Sequence, residues 1–170
     1  FGFSTTPNVT NNQTNAAGTQ TIQAADITLA TTAVPAGDIN QGTNSNIIYI
    51  TQMTVATEPV TVNNIQFTLG GTHDVNDLET VLVYFNGTSP NFAGSAFLGS
   101  AVATFAGPHL YSINISRAMA VGSTGYFIIV ANVDEAATDN NTVLVNGTTN
   151  PVTFGFSTTP NVTNNQTNAA

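Results

Sequence analysis

The chain has no cysteine and no tryptophan, and Arg117 is its single residue of the lysine and arginine class. Charged residues make up 6 % of its 170 positions, against roughly a quarter in ordinary soluble domains. Each shortage excludes something. Without cysteine there is no disulfide scaffold, thiolate metal site or cysteine nucleophile. With one arginine and a net charge of −8, there is no basic face to displace counterions from a nucleic acid. Attraction to an anionic membrane surface fails for the same reason. No apolar run approaches the roughly 18 residues that a membrane-spanning helix needs.

What fills the polar surface instead is threonine, asparagine, serine and glutamine. Such a surface carries little long-range field and offers a trypsin-like protease one cleavage site, which suits an extracellular life. The apolar fraction, 41 %, is ordinary, and about 150 residues can bury a core without covalent staples.

Repetition decides the organisation. Residues 1–17 read FGFSTTPNVTNNQTNAA, and residues 154–170 repeat all seventeen letters, with Phe154 offset from Phe1 by 153 positions. Solenoids and propellers repeat at roughly 20–50 residues, whereas 153 is the length of a whole domain. The expected organisation is a tandem array. Residues 1–17 are the terminal strand and linker of a preceding repeat, residues 18–153 form one β-sandwich repeat, and residues 154–170 are the next terminal strand and linker. The Asn/Thr-rich part, Pro7 to Gly18, reads as a linker. Phe154 and Phe156 alternate with Thr153, Gly155 and Ser157 as in a strand, so Phe1, Phe3, Phe154 and Phe156 are the candidate repeat-junction residues. Donor-strand exchange, in which one copy's terminal strand completes its neighbour's sheet, is an open alternative to simple end-to-end contact.

Between the copies, short β-type runs alternate with Gly, Pro, Asn and Asp clusters. They fall at Gln20–Thr32, Asn46–Thr57, Pro59–Leu69, Leu78–Phe85, Phe97–Phe105, Leu110–Ile115, Gly125–Val133, Thr142–Val145 and Pro151–Thr158. In Asn46–Thr57 the spacing places Ile48, Ile50, Met53 and Val55 in the core, with a bulge between Ile50 and Met53. Gly125–Val133 is the most hydrophobic run and is expected to be central. No stretch keeps a clean 3.6-residue period, and Ala131–Asp139 offers one helical turn at most. The pattern predicts an all-β, two-sheet antiparallel sandwich.

Several turn motifs sharpen this reading: Gly71-Thr72 with Asp74 and Asp77, Val83-Tyr84-Phe85-Asn86-Gly87 followed by Phe92, and Phe97 to Gly99. To these are added the turn Gly122–Tyr126 and the stretch Asn132–Thr142. Together they resemble the β-sandwich module of large secreted bacterial surface fibres and adhesins, similar to the non-catalytic module preceding some sialidase-type catalytic domains. The resemblance covers about half of the chain. It implies an Ig-like sandwich in an exported multidomain protein, and it carries over no catalytic residue.

Two carboxylate clusters stand out, Asp74, Asn76, Asp77 and Glu79, and Asp134, Glu135, Asp139 and Asn140. Ca²⁺ needs six to eight oxygen ligands from closely spaced positions. Asp74, Asn76, Asp77, Glu79, Asp134 and Asp139 are therefore the metal candidates, and Ca²⁺ the cofactor they would suit. The other reading is turn capping by short polar side chains. His73 and His109 are expected in exposed loops, and Arg117 is expected to pair with a carboxylate. No HExxH or GxSxG motif occurs. Asp38, Glu58, Asp74 and Asp134 show no spacing that couples a general acid to a base. Sequons stand at Asn8, Asn12, Asn86, Asn114, Asn140 and Asn146.

These observations predict a non-enzymatic structural repeat, secreted to the cell surface, whose partners are adjacent copies of itself in a filament or adhesin stalk. A surface glycan or cell target is a further expected partner, and nucleic acid and membrane insertion are not expected. The rival expectation is a carbohydrate- or protein-binding accessory module of a secreted enzyme, with specificity in the loop Asn86–Ala96.

Overall fold

A computed structural model describes residue 18, residues 20–147 and residues 150–167. Ten strands follow one another in these residues, with no helix among them. They are β1 (Asp26–Thr32), β2 (Asn46–Ala56), β3 (Val60–Gly71), β4 (Leu78–Asn86) and β5 (Ala96–Val102), then β6 (His109–Met119), β7 (Thr124–Val133), β8 (Val143–Asn146), β9 (Val152–Phe156) and β10 (Asn161–Asn165). No helix in this set is long and apolar enough to cross a membrane.

Two sheets result. The larger has the order β10-β1-β2-β7-β4-β5, and the smaller the order β6-β3-β8, with β9 also pairing β3. Every pairing is antiparallel except β1 with β10. β8 and β9 lie in series along one side of β3: Thr68–Gly71 pair with β8, and Val62–Phe67 pair with β9. The sheets share one core, so the architecture is sandwich-like. Ile27, Leu29, Met53, Val55, Val81, Val83, Phe127 and Ile129 enter it from the larger sheet, and Val62, Ile65, Phe67, Leu69, Ile113 and Val145 from the smaller. Burying each such side chain contributes about 1.5–3 kcal/mol.

The period-2 alternation explains most strands. In β3 the buried set passes from Val60 and Val62 to Ile65, Phe67 and Leu69, because the register shifts between Val62 and Asn64. β7 lies between β2 and β4. Its Phe127, Ile129, Ala131 and Val133 face the main core, while Ile128 and Val130 join Ile50 in a small cluster on the opposite face. That second cluster is why β7 reads as continuously apolar.

Two expectations are corrected. In β2 the residues facing the main core are Tyr49, Thr51, Met53 and Val55, and Ile50 is buried on the opposite face with Ile128 and Val130. Residues 49–54 pair with β7 without interruption, and the irregularity lies at Ile47/Tyr49. The bulge expected after Ile50 is thus absent, because a polar residue, Thr51, occupies a core position. Within 154–170, the Asn/Thr-rich stretch expected as a linker forms β10 instead. Its polar side chains suit an edge strand, where the backbone ladder supplies the attachment. The identical Pro7–Ala17 lies outside the described residues.

Candidate functional site: the repeated segment and its groove

The second copy of the repeated letters is knitted into the sandwich. Phe154 pairs with Ile65 and Phe156 with Val62 on β3. Both rings are half-buried. Phe154 packs across the sheets against Phe127, with ring centroids 5.0 Å apart. The candidate junction residues Phe154 and Phe156 thus lie in β9, paired with β3. Phe1 and Phe3 lie outside the described residues.

The chain then turns at residues 157–160 and runs parallel to β1, pairing Asn161 with Asp26 through Asn165 with Ala30. Polar anchors hold both ends of this strand. At its start, Asn161 Nδ2 donates to Asp26 Oδ1 over 3.0 Å, and Thr57 Oγ1 donates to Asp26 Oδ2 over 2.5 Å. The Thr57 and Asn161 bonds hold the Asp26 carboxyl below its ordinary range. At its finish, Gln166 is 4 % exposed. Its Oε1 accepts from Thr51 Oγ1 at 3.1 Å, and its Nε2 donates to the Val152 carbonyl at 2.7 Å. The Thr167 carbonyl accepts from Tyr49 Oη and from Thr31 Oγ1, each at 2.9 Å. Thr167 N donates in return to Thr31 Oγ1 at 2.8 Å. Burial pushes the Tyr49 hydroxyl's pKa up, and the hydrogen bond between Tyr49 Oη and Thr31 Oγ1, 2.5 Å apart, opposes it. The groove for the repeated segment is thus apolar beside β3 and polar at the far end of β1.

Sequence reasoning did not find Asp26, Thr31, Tyr49, Thr51 or Gln166. One trace was legible: Thr51 interrupts the apolar alternation of β2, and an inward polar residue requires a partner.

At the sandwich end where β3–β4, β7–β8 and the loop before β2 meet, the two carboxylate clusters come together. Burial alone would raise the Asp77 pKa. The bonds from Thr138 N (2.6 Å), Asp74 N (2.8 Å) and Asn141 Nδ2 (2.7 Å) outweigh it and hold the carboxyl low. Asp74 Oδ1 accepts from Asn76 N at 2.8 Å, Asp134 Oδ1 from Ala136 N at 2.7 Å, and Asp139 Oδ2 from Asn140 Nδ2 at 2.9 Å. These oxygens serve N–H donors, as turn caps do. Among the described residues no group of three or more His, Cys, Asp or Glu is placed to hold a metal ion. Gly71 is fixed here by its φ of +104° and by the Thr142 carbonyl oxygen, 2.2 Å from where a Cβ would stand.

The histidines differ from expectation. His73 is 3 % exposed, lines a cavity of ≈ 210 Å³ with Asp77, Leu78 and Asn141, and neither ring nitrogen has a hydrogen-bond partner among the described residues. His109 is half-buried at the start of β6, stacked on Phe105 with centroids 3.9 Å apart. Neither is an exposed loop residue, because Gly107 N bonds the His73 carbonyl and folds the segment before β6 over that ring. Arg117 sits with its guanidinium carbon 3.8 Å from the Phe85 ring centre. An aromatic face takes the place of the expected carboxylate, since Gly125 leaves the Phe85 ring room beside β7.

No protein-family model and no curated protein matches this chain. The functional reading rests on the repeat, the groove and the surface chemistry.

Proposed function

We propose that the chain is a structural repeat of an extracellular filament or adhesin stalk. Reach comes from end-to-end stacking of identical Ig-like sandwiches, with adjacent copies as the partners. One observation carries this reading: the repeated letters at domain-length offset supply Phe154–Phe156 of β9 and the whole of β10, the last two strands among the described residues. A segment copied every 153 residues and built into each sandwich marks the unit of an array. The residues between that segment and β1 are then left to connect one sandwich to the next. Ile22 in that connector is 98 % exposed, so an apolar side chain is available for a neighbouring copy to cover. Length then grows with copy number while each link stays the same. The low charge and the cysteine-free, trypsin-poor sequence suit permanent exposure outside the cell.

Small-angle scattering of concatemers with one, two and four copies tests the reading. The maximum dimension should rise in equal steps per copy. A dimension that stays compact as copies are added would sink it.

One observation favours the second reading, a carbohydrate-binding accessory module. Tyr84 packs edge-on against Phe92 and Phe97, with centroids 4.8 and 5.5 Å away, and Phe97 is 55 % exposed. Asn86 fixes the adjoining loop by donating to the Asn91 carbonyl at 2.8 Å and accepting from Thr88 N at 3.0 Å. Aromatic faces beside a rigid polar loop suit a sugar ring. Selective binding on a glycan array, abolished by Phe97→Ala, would favour this reading over a spacer.

A further inference from the structure

The one parallel pairing among the described residues sets a direction. β1 and β10 run side by side in the same sense, Asp26 with Asn161 through Ala30 with Asn165. The path therefore arrives along β1 and departs along β10 travelling the same way, and Thr167 is bonded to Thr31, close to where β1 finishes. An antiparallel last strand would carry the path back to the end it came from. β1, β3 and β7 all begin at this near end of the sandwich and finish at its far end.

Charge and apolar surface divide between the two ends. Every carboxylate except Asp26 and Glu58 stands at the far end, in the loop before β2, in the β3–β4 connection with the start of β4, and in the β7–β8 connection. The chain's one cation, Arg117, lies towards the near end, on β6 opposite Val62 of β3. Contact between two far ends would set these carboxylates against each other and costs more than contact between unlike ends. Apolar side chains stand exposed at both. Val75 and Phe105 at the far end and Val121 at the near end are about half exposed, and Ile22, also at the near end, is almost wholly so. Gly107 N, bonded to the His73 carbonyl, holds the segment of Phe105 beside the connection that carries Val75.

We infer that the far end of one copy docks directly on the near end of the next, with Val75 and Phe105 against Ile22 and Val121. The inference rests on the array reading and adds to it a contact face, a polarity and a response to salt. All copies point one way, and each joint covers apolar surface that a lone copy leaves in water. The near end carries Asp26 and Glu58 against Arg117, so some repulsion from the acidic far end opposes the joint, and salt screens it.

The absence of cysteine makes the test direct. The chain is extended by one further period to give two copies, with Val75→Cys in the first and Val121→Cys in the second. A second chain has the two changes exchanged between the copies, and a third has Val75→Cys in both. A short bis-maleimide joins the thiols, and peptide mapping reads the links within single chains. The first chain should link about tenfold faster than either of the others, and faster still as NaCl rises from about 0.05 to about 1 M. Adding Ile22→Ser to its second copy should slow the linking by about tenfold. Equal rates in the three chains overturn the inference. Linking that Ile22→Ser leaves unchanged also overturns it, since the connector alone then brings the ends together. Linking that salt slows would give the joint to ion pairs and remove the apolar contact. If linking is no faster in the first chain while the scattering dimension still grows in equal steps per copy, the direct joint is lost and the array reading stands.

Discussion

Thr51 and Gln166 are 115 residues apart and meet inside the fold, where the threonine hydroxyl donates to the Gln166 carbonyl oxygen over 3.1 Å. Thr51 is fully buried and Gln166 nearly so. A buried amide left without partners costs about 1–3 kcal/mol, so the pair fixes where the terminal segment sits. Thr51→Val should lower stability by roughly that amount in urea unfolding. Thr51→Val with Gln166→Leu should cost less than the sum of the two single changes. Strict additivity would show that the two side chains do not act as a pair.

Gly125 faces the Phe85 ring so closely that an added Cβ would stand 2.3 Å from the ring's Cζ. Gly125→Ala should therefore destabilise the protein by about 1–3 kcal/mol, the usual cost of overpacking. Phe85→Leu in the same chain should recover part of the loss. A neutral Gly125→Ala, read by thermal melting, would mean that the ring moves aside freely.

Arg117 over Phe85 makes a prediction about salt. A cation–π contact that is partly desolvated is worth about 0.5–2 kcal/mol, and it is screened less than an exposed ion pair. Arg117→Met should lower the denaturation midpoint by an amount that changes little between low and high salt. A loss that disappears at about 1 M NaCl would restore the carboxylate partner that the sequence suggests.

The acid limb of stability follows from Asp77 and Asp26. Both are held below the ordinary aspartate value of 3.8. Each contributes stability that is fully present above the unfolded-state value and is lost as pH falls through the lowered folded-state value. Melting temperature should therefore fall below about pH 4, and Asp77→Asn should flatten that fall while lowering stability at neutral pH. An unchanged acid limb in Asp77→Asn would remove Asp77 from the account.

The alkaline limb depends on Tyr49 and Tyr111, whose hydroxyls are raised by burial. Their contribution is intact below the ordinary tyrosine value of 10.0 and is lost as pH rises through the folded-state values. Tyr111→Phe should move the alkaline midpoint of unfolding upward, because the Tyr111 hydroxyl has no hydrogen-bond partner among the described residues to lose. A midpoint that stays in place would mean that Tyr111 does not drive the alkaline transition.

How far the sequence reached is clearest in particular strands. Val60, Val62, Ile65, Phe67 and Leu69 are the core face of β3, and the all-β class followed from such runs. A period of two is a property of the backbone that any half-buried strand must express. The same rule failed in β2, where alternation by hydrophobicity chose Ile50 and the structure chose Thr51. It failed again at β10, where three asparagines and one threonine leave Val162 as the single apolar residue, too little for an alternation. In the loops, spacing brought Asp74 and Asp77 to notice, but not that their oxygens serve N–H groups from their own loop and from the distant Thr138 and Asn141.

The sequence by itself determined the β class, the repeat with its 153-residue offset, and the exclusion of thiol chemistry and of a basic face, because these depend on composition and on local periodicity. Tertiary structure alone decided that the repeated segment ends in a strand on β1, that Arg117 meets a ring, and that His73 is enclosed. Those outcomes depend on which distant backbones come within hydrogen-bonding distance, and a polar strand acquires its place from the partner edge rather than from its own side chains.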